Sequence, residues 1–317
     1  MESLKILITG VTGFIGSNVA SHLANEDYEI YGVTRSERYN WRLEDLKDTI
    51  RLVSSDVSSY ERTCSTVENI RPDGIINCAQ YGAYPTEKYN KAMFETNVGG
   101  LFNILDVSTK LHVNWLINCG TSFEYSGSKE SVAESFSSKP NSSYGISKAT
   151  GSNMMDLHSK ILNTKLMTLR IFQAYGPFEP KGRLVPYLLY NLINNLDIHL
   201  NNPYLERDFV YIKDIATAFS KAIRAIDNLE THEVINIGTG TYTSIQDFAN
   251  IAKKVIDSSS HIAIGSSASK PEDQVDRIYA NISKAIKLFN WFPKFQISDG
   301  IKDFAIWMKN KLDYYRE

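Results

Sequence analysis

The sequence has few cysteines, no excess charge of either sign and no long hydrophobic run. Its three cysteines, Cys64, Cys78 and Cys119, form no Cys-x-x-Cys spacing and no Cys/His cluster, which argues against a disulfide framework and a zinc site. We therefore predict no bound metal. No apolar stretch approaches the roughly 20 residues that a membrane-spanning helix needs, so we also predict no membrane partner.

The charge balance is close to neutral. The chain has 34 basic and 36 acidic residues among 317, a net charge of -2 and a pI near 6.3. This balance gives no reason to expect nucleic acid as a partner, whereas a small anionic ligand fits it. The first predicted strand begins within a few residues of Met1, leaving no room for a signal peptide, and we predict a cytoplasmic protein.

A glycine-rich turn near the start carries the strongest local signal. An apolar run of strand length is followed by three glycines at three-residue spacing and then by a helical pattern. A strand, a tight turn and a helix N-terminus in this order bind the pyrophosphate of a dinucleotide, and the glycines allow the turn, the approach of the phosphates and close helix packing. The predicted pyrophosphate-binding residues are Gly10, Thr12, Gly13, Phe14, Ile15 and Gly16.

The end of the second predicted strand is the place where a dinucleotide fold meets the adenosine ribose. Thr34 and Arg35 occupy this corner, and Ser36 and Arg38 follow. A guanidinium favours a 2′-phosphate, whereas an acidic side chain would accept hydrogen bonds from a 2′-hydroxyl. We predict NADP(H) as the preferred cofactor, with NAD as the alternative. The competing interpretation is a solvated basic loop.

The following strands indicate an α/β fold. The third predicted strand ends at Asp56 and Val57, which suit the adenine edge, although the same turn could simply cap the next helix. Residues 74–80 form a fourth, nearly apolar strand, and a helix over 88–111 leads to a fifth strand over 113–119. Such alternation predicts a doubly wound parallel (Rossmann) sheet. Further predicted cofactor residues are Cys78, Ala79 and Gln80 at the fourth strand end, and Asn97 in the helix.

A tyrosine and a lysine stand four residues apart and so lie on one face of a predicted helix. These are Tyr144 and Lys148, and the hydroxyls of Thr121 and Ser122 follow the fifth strand at the crevice. An ammonium beside a phenol favours the phenolate and lowers its pKa, making Tyr144 a usable acid or base. A serine hydroxyl, here Ser122, can orient the substrate oxygen.

With these residues in place, the chain resembles the extended short-chain dehydrogenase/reductases that act on nucleotide-diphosphate sugars. The resemblance covers nearly the whole length. Besides the glycine turn and the Ser122, Tyr144 and Lys148 set, its motifs are Arg170-Ile171-Phe172-Gln173-Ala174-Tyr175-Gly176-Pro177, Arg207-Asp208-Phe209-Val210-Tyr211-Ile212-Lys213-Asp214, and Ala280-Asn281-Ile282-Ser283-Lys284-Ala285 before Trp291-Phe292-Pro293.

The resemblance implies a role for each matching residue. Tyr144 would be the proton donor or acceptor, Lys148 would hold the nicotinamide ribose, and Ser122 would bond the reacting sugar oxygen. Arg207 would meet the nucleotide diphosphate, unless it is an ion-pair partner of Asp208. Phe172 would contact the cofactor, and the remaining implied substrate residues are Tyr81, Phe123, Gln173, Arg183, Leu184, Val185, Lys270 and Arg277.

The resemblance also implies a domain division and an assembly. A dinucleotide-binding domain would comprise residues 1–172, with returning segments near 207–239. A smaller C-terminal nucleotide-sugar-binding α/β domain would comprise residues 173–206 and 240–317. Two long helices would form a homodimer interface.

Three reactions share this scaffold. Glu124 stands where a 4,6-dehydratase keeps its base, but Phe123 beside it cannot donate a proton. Related 4-epimerases usually carry an acidic residue where this chain has Arg35. Thr34-Arg35 and Ser122-Phe123 resemble the 4-ketoreductases that make CDP-abequose and similar deoxysugars. We therefore predict NADPH-dependent reduction of an NDP-4-keto-6-deoxyhexose at C4. The alternative is an NAD-dependent 4-epimerase, and the other candidates are a dehydratase or a catalytically silent sensor.

Overall fold

A parallel sheet of seven strands forms the centre of the computed structural model, which describes residues 3–35, 40–82, 91–125, 127, 130–161, 164–229, 232–265 and 277–316. The strands are β1 (Leu4–Thr9), β2 (Tyr28–Thr34), β3 (Ile50–Ser54), β4 (Gly74–Asn77), β5 (Trp115–Thr121), β6 (Lys165–Ile171), β7 (Gln173–Tyr175), β8 (Ile198–Leu200), β9 (Glu206–Arg207), β10 (Phe209–Tyr211), β11 (Glu233–Ile237), β12 (Thr243–Ser244), β13 (Ile262–Ile264) and β14 (Arg277–Ile278).

The order across the central sheet is β11-β6-β5-β4-β1-β2-β3, with every neighbouring pair parallel. Because helices cover both faces, every residue of β5 is buried. This confirms the predicted doubly wound α/β fold. The predicted fourth strand is too long, since β4 ends at Asn77. There, the Thr9 hydroxyl donates to Asn77 (2.6 Å) and the Asn77 amide donates to Asn118 (2.9 Å), so buried polar side chains connect the ends of β1 and β4 to the middle of β5.

The helices pack on this sheet and behind the smaller strands. They are α1 (Phe14–Leu23), α2 (Tyr60–Ile70), α3 (Lys91–Phe94), α4 (Leu101–Lys110), α5 (Ser143–Ser159), α6 (Leu184–Ile193), α7 (Ile212–Ala225), α8 (Ile245–Ile256), α9 (Ser283–Phe289), α10 (Ile297–Lys309) and α11 (Leu312–Tyr315). A π-helical turn, Glu95–Gly100, joins α3 to α4, so the helix predicted over 88–111 is continuous but irregular where it is described. In the described ranges, no helix is both long and apolar enough to cross a bilayer.

Three small sheets lie beyond the large one. They pair β7 with β10, β8 with β13, and β9 with β12 and β14. Their strands come from residues 173–278, either within the crossover from β6 to β11 or after β11. The division into two domains stays a prediction, but this placement brings the small sheets beside the carboxyl ends of β5 and β6.

Candidate active site

A cavity of about 570 Å³ runs along the carboxyl edge of the large sheet. The glycine turn after β1 and the ends of β2, β3, β4 and β5 line one side, and residues 171–174, 180 and 183 line another. In open parallel sheets, ligands bind at this edge. The lining includes most of the predicted cofactor residues, namely Gly10, Thr12, Gly13, Phe14, Ile15, Gly16, Thr34, Arg35, Asp56, Val57, Cys78, Ala79, Gln80, Tyr144 and Phe172.

The glycine turn packs closely against neighbouring backbone because it lacks side chains. Gly10 has φ +64°, and a Cβ there would lie 2.5 Å from the Cys78 carbonyl oxygen. A Cβ on Gly16 would lie 2.3 Å from the Gly10 carbonyl oxygen. The Gly13 amide donates to Gly10 (2.9 Å), and α1 begins at the next residue. The turn therefore fits a dinucleotide pyrophosphate at the N-terminus of α1.

The end of β2, where the adenosine ribose is predicted to bind, has a basic residue, Arg35, and an acidic one, Asp56, in the cavity lining. Thr34 is buried and Arg35 is exposed, and both line the cavity opposite Asp56. Burial acts to raise the pKa of Asp56, but hydrogen bonds from Ser58 and the charges of Arg35 and Arg62 outweigh it and lower this pKa. The predicted contacts Ser36 and Arg38 lie outside the described residues.

Arg42 is a lining residue that the predicted site does not include. Its Nε donates to the Phe178 carbonyl (3.0 Å), and its guanidinium lies 4.7 Å from the centre of the Trp41 ring. Arg42 thus ties the loop after β2 to the segment before α6. The only signal for it in the sequence is that it continues the basic cluster after Arg35.

Tyr144 lies in the first turn of α5 with its hydroxyl donating to Gln80 Oε1 at 2.7 Å. Burial raises the pKa of this phenol above its ordinary value and Cys119 adds to the effect, while the charge of Arg183 and a hydrogen bond from Thr121 act against it. The expectation that Lys148 lowers this pKa is therefore not met, because burial disfavours the phenolate more strongly than the nearby groups favour it. The phenol stays protonated.

Thr121 and Ser122 line different pockets. Thr121, the last residue of β5, lines the main cavity together with Tyr144. Ser122 lines an adjoining pocket of about 30 Å³ with Phe123, Gln173 and others. The hydroxyl that lies with the tyrosine is thus Thr121, although the predicted site names Ser122. Thr121 ends β5 and Ser122 follows it directly. The sequence alone therefore could not show which of the two hydroxyls lies beside Tyr144.

Lys148 is buried one turn after Tyr144 and does not itself line the cavity. Its ammonium is close enough to Cys78 and Cys119 to act to lower the pKa of both thiols, and these two residues do line the cavity. The three cysteines form no disulfide.

Asn97 acts behind the cavity rather than in it. Its side-chain oxygen accepts from the Tyr81 amide (2.8 Å), and its amide donates to the Tyr81 carbonyl (2.9 Å) and to Ser147 (2.9 Å). Asn97 therefore fixes Tyr81, which lines the cavity, against α5. Asn97 is not among the residues that line the cavity, and its contact with the cofactor stays a prediction.

Glu124 is completely buried, and its carboxylate faces protein. It accepts from the Thr121 amide (3.1 Å) and Ser152 (2.6 Å) and pairs with the Arg170 Nε at 2.9 Å. Glu124 lines neither pocket. The geometry gives no support to the prediction that this carboxylate serves as a catalytic base, because its oxygens are engaged by groups of β5, α5 and β6.

The predicted substrate residues are only partly brought together. Arg183 lines the main cavity, Arg207 lines the smaller pocket, and Phe123 and Gln173 line both. Leu184 and Val185 begin α6 and line neither pocket. Arg277 also lines neither, because it pairs with Glu206 and lies 3.9 Å from the centre of the Tyr242 ring. Lys270 lies outside the described residues.

Asp208, next to Arg207, binds two separate backbone segments. Its buried carboxylate accepts from the Thr239 amide and hydroxyl (both 2.6 Å), the Gly240 amide (3.1 Å) and the Ala280 amide (3.0 Å). Burial nevertheless raises its pKa. Asp208 therefore holds the wall of the smaller pocket together.

Across the described ranges, no three His, Cys, Asp or Glu side chains cluster as metal ligands would.

Known proteins resemble this chain over nearly its whole length. A putative UDP-glucose 4-epimerase of Methanocaldococcus jannaschii is 27% identical, covering 96% of this chain and 98% of that protein. CDP-abequose synthase of Salmonella muenchen is 26% identical, covering 94% and 96%. The crystal structure of UDP-glucose 4-epimerase from Thermotoga maritima, 22% identical, superimposes with a TM-score of 0.88 over 98% of this chain and all of that one, which shows the same fold.

The profile of the NAD dependent epimerase/dehydratase family matches residues 6–238, a span that contains the glycine turn, Thr121, Tyr144 and Lys148. The chain therefore belongs to the NAD dependent epimerase/dehydratase family and is an NAD(P)-dependent enzyme of the short-chain dehydrogenase/reductase type.

Proposed function

We propose that the protein works in the cytoplasm and reduces the C4 ketone of a nucleotide-diphosphate 4-keto-6-deoxyhexose with NADPH, a step in deoxysugar biosynthesis. One observation carries this proposal. The Tyr144 hydroxyl lies in the same cavity as the glycine turn and is held protonated, with its proton on a hydrogen bond to Gln80. A protonated phenol is the form that can donate to a developing alkoxide.

Bound NADPH would supply a hydride to sugar C4. Tyr144 then gives its proton to the C4 oxygen, so that the ketone becomes an alcohol and the phenol a phenolate. The Thr121 hydroxyl can donate to the phenolate. Lys148, buried one turn along α5, would add a positive charge beneath the reacting groups and hold the nicotinamide ribose.

The smaller pocket suits a 6-deoxy sugar. Phe123, Tyr125, Phe172 and Ile278 supply its apolar surface, and Ser122, Asn141, Gln173, Arg207 and Asp208 supply polar groups. The apolar surface suits the methyl group of a 6-deoxy sugar, and the polar groups suit the hydroxyls of the ring. Arg183 lines the main cavity and Arg207 lines the smaller pocket. The planar guanidinium group matches the oxygens of a diphosphate. The likeness to CDP-abequose synthase supports the same substrate class.

The proposed preference for NADPH rests on Arg35. Replacing Arg35 by Asp should shift the ratio of the two kcat/KM values toward NADH by about tenfold or more, because a carboxylate repels a 2′-phosphate and accepts from a 2′-hydroxyl. Steady-state assays with both cofactors measure this ratio. An unaltered ratio would remove the 2′-phosphate argument.

A direct assay tests the proposed reaction. The purified protein is denatured to identify any nucleotide that it retains, and native protein is then incubated with NADPH and CDP-, UDP- or dTDP-4-keto-6-deoxyglucose. We expect NADPH oxidation matched by formation of the C4 alcohol with at least one sugar. Retained NAD without NADPH consumption would defeat the proposal.

The second candidate is an NAD-dependent NDP-sugar 4-epimerase. It is favoured by the likeness to the putative UDP-glucose 4-epimerase and by the shared fold of solved epimerases. An epimerase would keep its cofactor and interconvert UDP-glucose and UDP-galactose without net oxidation. Arg35 in place of an acidic residue favours the reductase.

We propose a homodimer formed by α4 and α5. These neighbouring helices expose large apolar side chains, among them Phe102 and Leu157, at 47% and 58% of their surface. Sedimentation equilibrium should give twice the chain mass of 35.8 kDa, and Leu157→Asp should restore the monomer mass. A monomeric parent protein would refute the assembly.

A further inference from the structure

Gln80 follows β4 and lines the main cavity, where its side-chain oxygen accepts the hydrogen bond from the Tyr144 hydroxyl at 2.7 Å. The reaction described above uses Tyr144 but gives Gln80 no task. The contact bears on that reaction, because a hydroxyl has one proton and cannot donate it to Gln80 and to a ketone at the same time. A bound sugar must therefore replace the Gln80 oxygen at the phenol before the ketone can be reduced.

The backbone on both sides of Gln80 is held in place. Ahead of it, the Ala79 amide donates to the Thr9 hydroxyl at 3.3 Å. After it, the Tyr81 amide donates to the side-chain oxygen of Asn97 at 2.8 Å, and the Asn97 amide donates to the Tyr81 carbonyl at 2.9 Å. The main chain at Gln80 is thus tied to the end of β1 and to the π-helical turn before α4.

The same turn holds the backbone of Tyr144. The Asn97 amide donates to the Ser147 hydroxyl (2.9 Å), which donates in turn to the Tyr144 carbonyl (2.8 Å). Asn97 therefore connects the chain beside Gln80 to the first turn of α5. The two backbones are held at a set spacing, whereas the Gln80 side chain is exposed and can turn about its own bonds.

A carboxamide can serve both protonation states of a neighbouring phenol. Its oxygen accepts from the neutral phenol, and its NH₂ group donates to the phenolate after half a turn of the amide. Hydrogen bonds to a charged group are stronger than those between neutral groups. The amide therefore gains a stronger hydrogen bond when the phenol gives up its proton.

We propose that Gln80 takes part in the reduction by holding the Tyr144 hydroxyl before the sugar binds and by donating to the phenolate that the reaction forms. The inference rests on the proposed reduction of a C4 ketone. The hydride of NADPH goes to sugar C4, the Tyr144 proton goes to the C4 oxygen, and the phenolate regains a proton from solvent before the next turnover. Gln80 itself neither gains nor loses a proton.

The test compares Gln80→Met and Gln80→Glu with the parent protein, using a 4-keto-6-deoxy sugar nucleotide that the parent reduces. Methionine has nearly the length of glutamine but is only a weak acceptor, whereas an ionised glutamate accepts and cannot donate. We expect kcat to fall about tenfold in Gln80→Met, because one hydrogen bond to the phenolate is lost. In Gln80→Glu it should fall about a hundredfold or more, because a negative charge also opposes the phenolate.

The order of these two kcat values separates a chemical role from a structural one. If Gln80 only held the resting phenol in place, Gln80→Glu would keep that hydrogen bond and would be the more active variant. The KM for the sugar should not rise in Gln80→Met, since the ketone no longer competes with an amide oxygen for the phenol proton. Gln296→Glu, the same change at an exposed position before α10, should keep the parental kcat and KM.

A second measurement follows the contact without any substrate. The carbon resonance of Tyr144 Cζ, assigned by its loss in Tyr144→Phe, should shift in Gln80→Met and stay at the parental position in Gln296→Glu. An unchanged resonance in Gln80→Met, a parental kcat in that variant, or a higher kcat in Gln80→Glu than in Gln80→Met overturns the inference and leaves the proposed reaction standing. A parent protein that reduces no such sugar defeats the proposed reaction, and the inference with it.

Discussion

Replacing Tyr144 by Phe is expected to lower kcat for ketone reduction about a thousandfold, within the range that a general acid supplies. Phenylalanine keeps the ring that packs at 6.0 Å from Phe123 but has no proton to give. Since the glycine turn and Arg35 are untouched, the affinity for NADPH should change little. Stopped-flow measurement of NADPH oxidation and a separate fluorescence titration of the cofactor distinguish the two effects.

The control for this variant is Tyr204→Phe, the same change on a side chain that is 73% exposed. It should leave both kcat and cofactor affinity at parental values. Full activity of Tyr144→Phe would remove the tyrosine from the reaction and, with it, the assignment of the cavity as the reductase site.

Replacing Glu124 by Gln should destabilise the protein strongly and leave the chemistry intact. The buried pair with Arg170 would be broken, leaving a guanidinium buried without its counter-charge, a change that costs about 3–5 kcal/mol. Urea unfolding measures this loss. At a temperature where the variant is folded, its kcat should remain within a few-fold of the parent value.

This variant also separates two reactions. In a 4,6-dehydratase, a glutamate at this place would take a proton from the sugar, so its loss would abolish turnover with little effect on stability. The catalytic role of Glu124 would be supported by two results together. The parent would have to show dehydratase activity that Glu124→Gln lacks, and the two proteins would have to share the same unfolding midpoint.

The parts of the site that the sequence predicts well are those decided by local geometry. A side chain at Gly16 would collide with the Gly10 carbonyl, and Gly10 itself has a positive φ, so both restrictions arise within the turn. Tyr144 and Lys148 share a helix face because of their spacing, whatever the rest of the fold does. The seven-stranded sheet follows in the same way from apolar runs alternating with helical patterns.

The parts that the sequence does not predict depend on contacts between distant segments. Whether Glu124 faces the cavity or the interior is decided by Arg170, which comes from the neighbouring strand. The choice between Thr121 and Ser122 depends on the exact end of β5, and a one-residue shift reverses which side chain faces the cavity. The protonated state of Tyr144 depends on burial by several elements, and no spacing rule encodes it.

The four hydrogen bonds accepted by Asp208 have a mechanical consequence. They lock the residue after Arg207 to the segment that leaves β11 and to Ala280 near the C-terminal helices. Asp208 therefore connects one wall of the smaller pocket to the edge of the large sheet. These bonds restrict movement of that wall before any sugar enters, and we expect the amides of Thr239, Gly240 and Ala280 to exchange their hydrogens slowly.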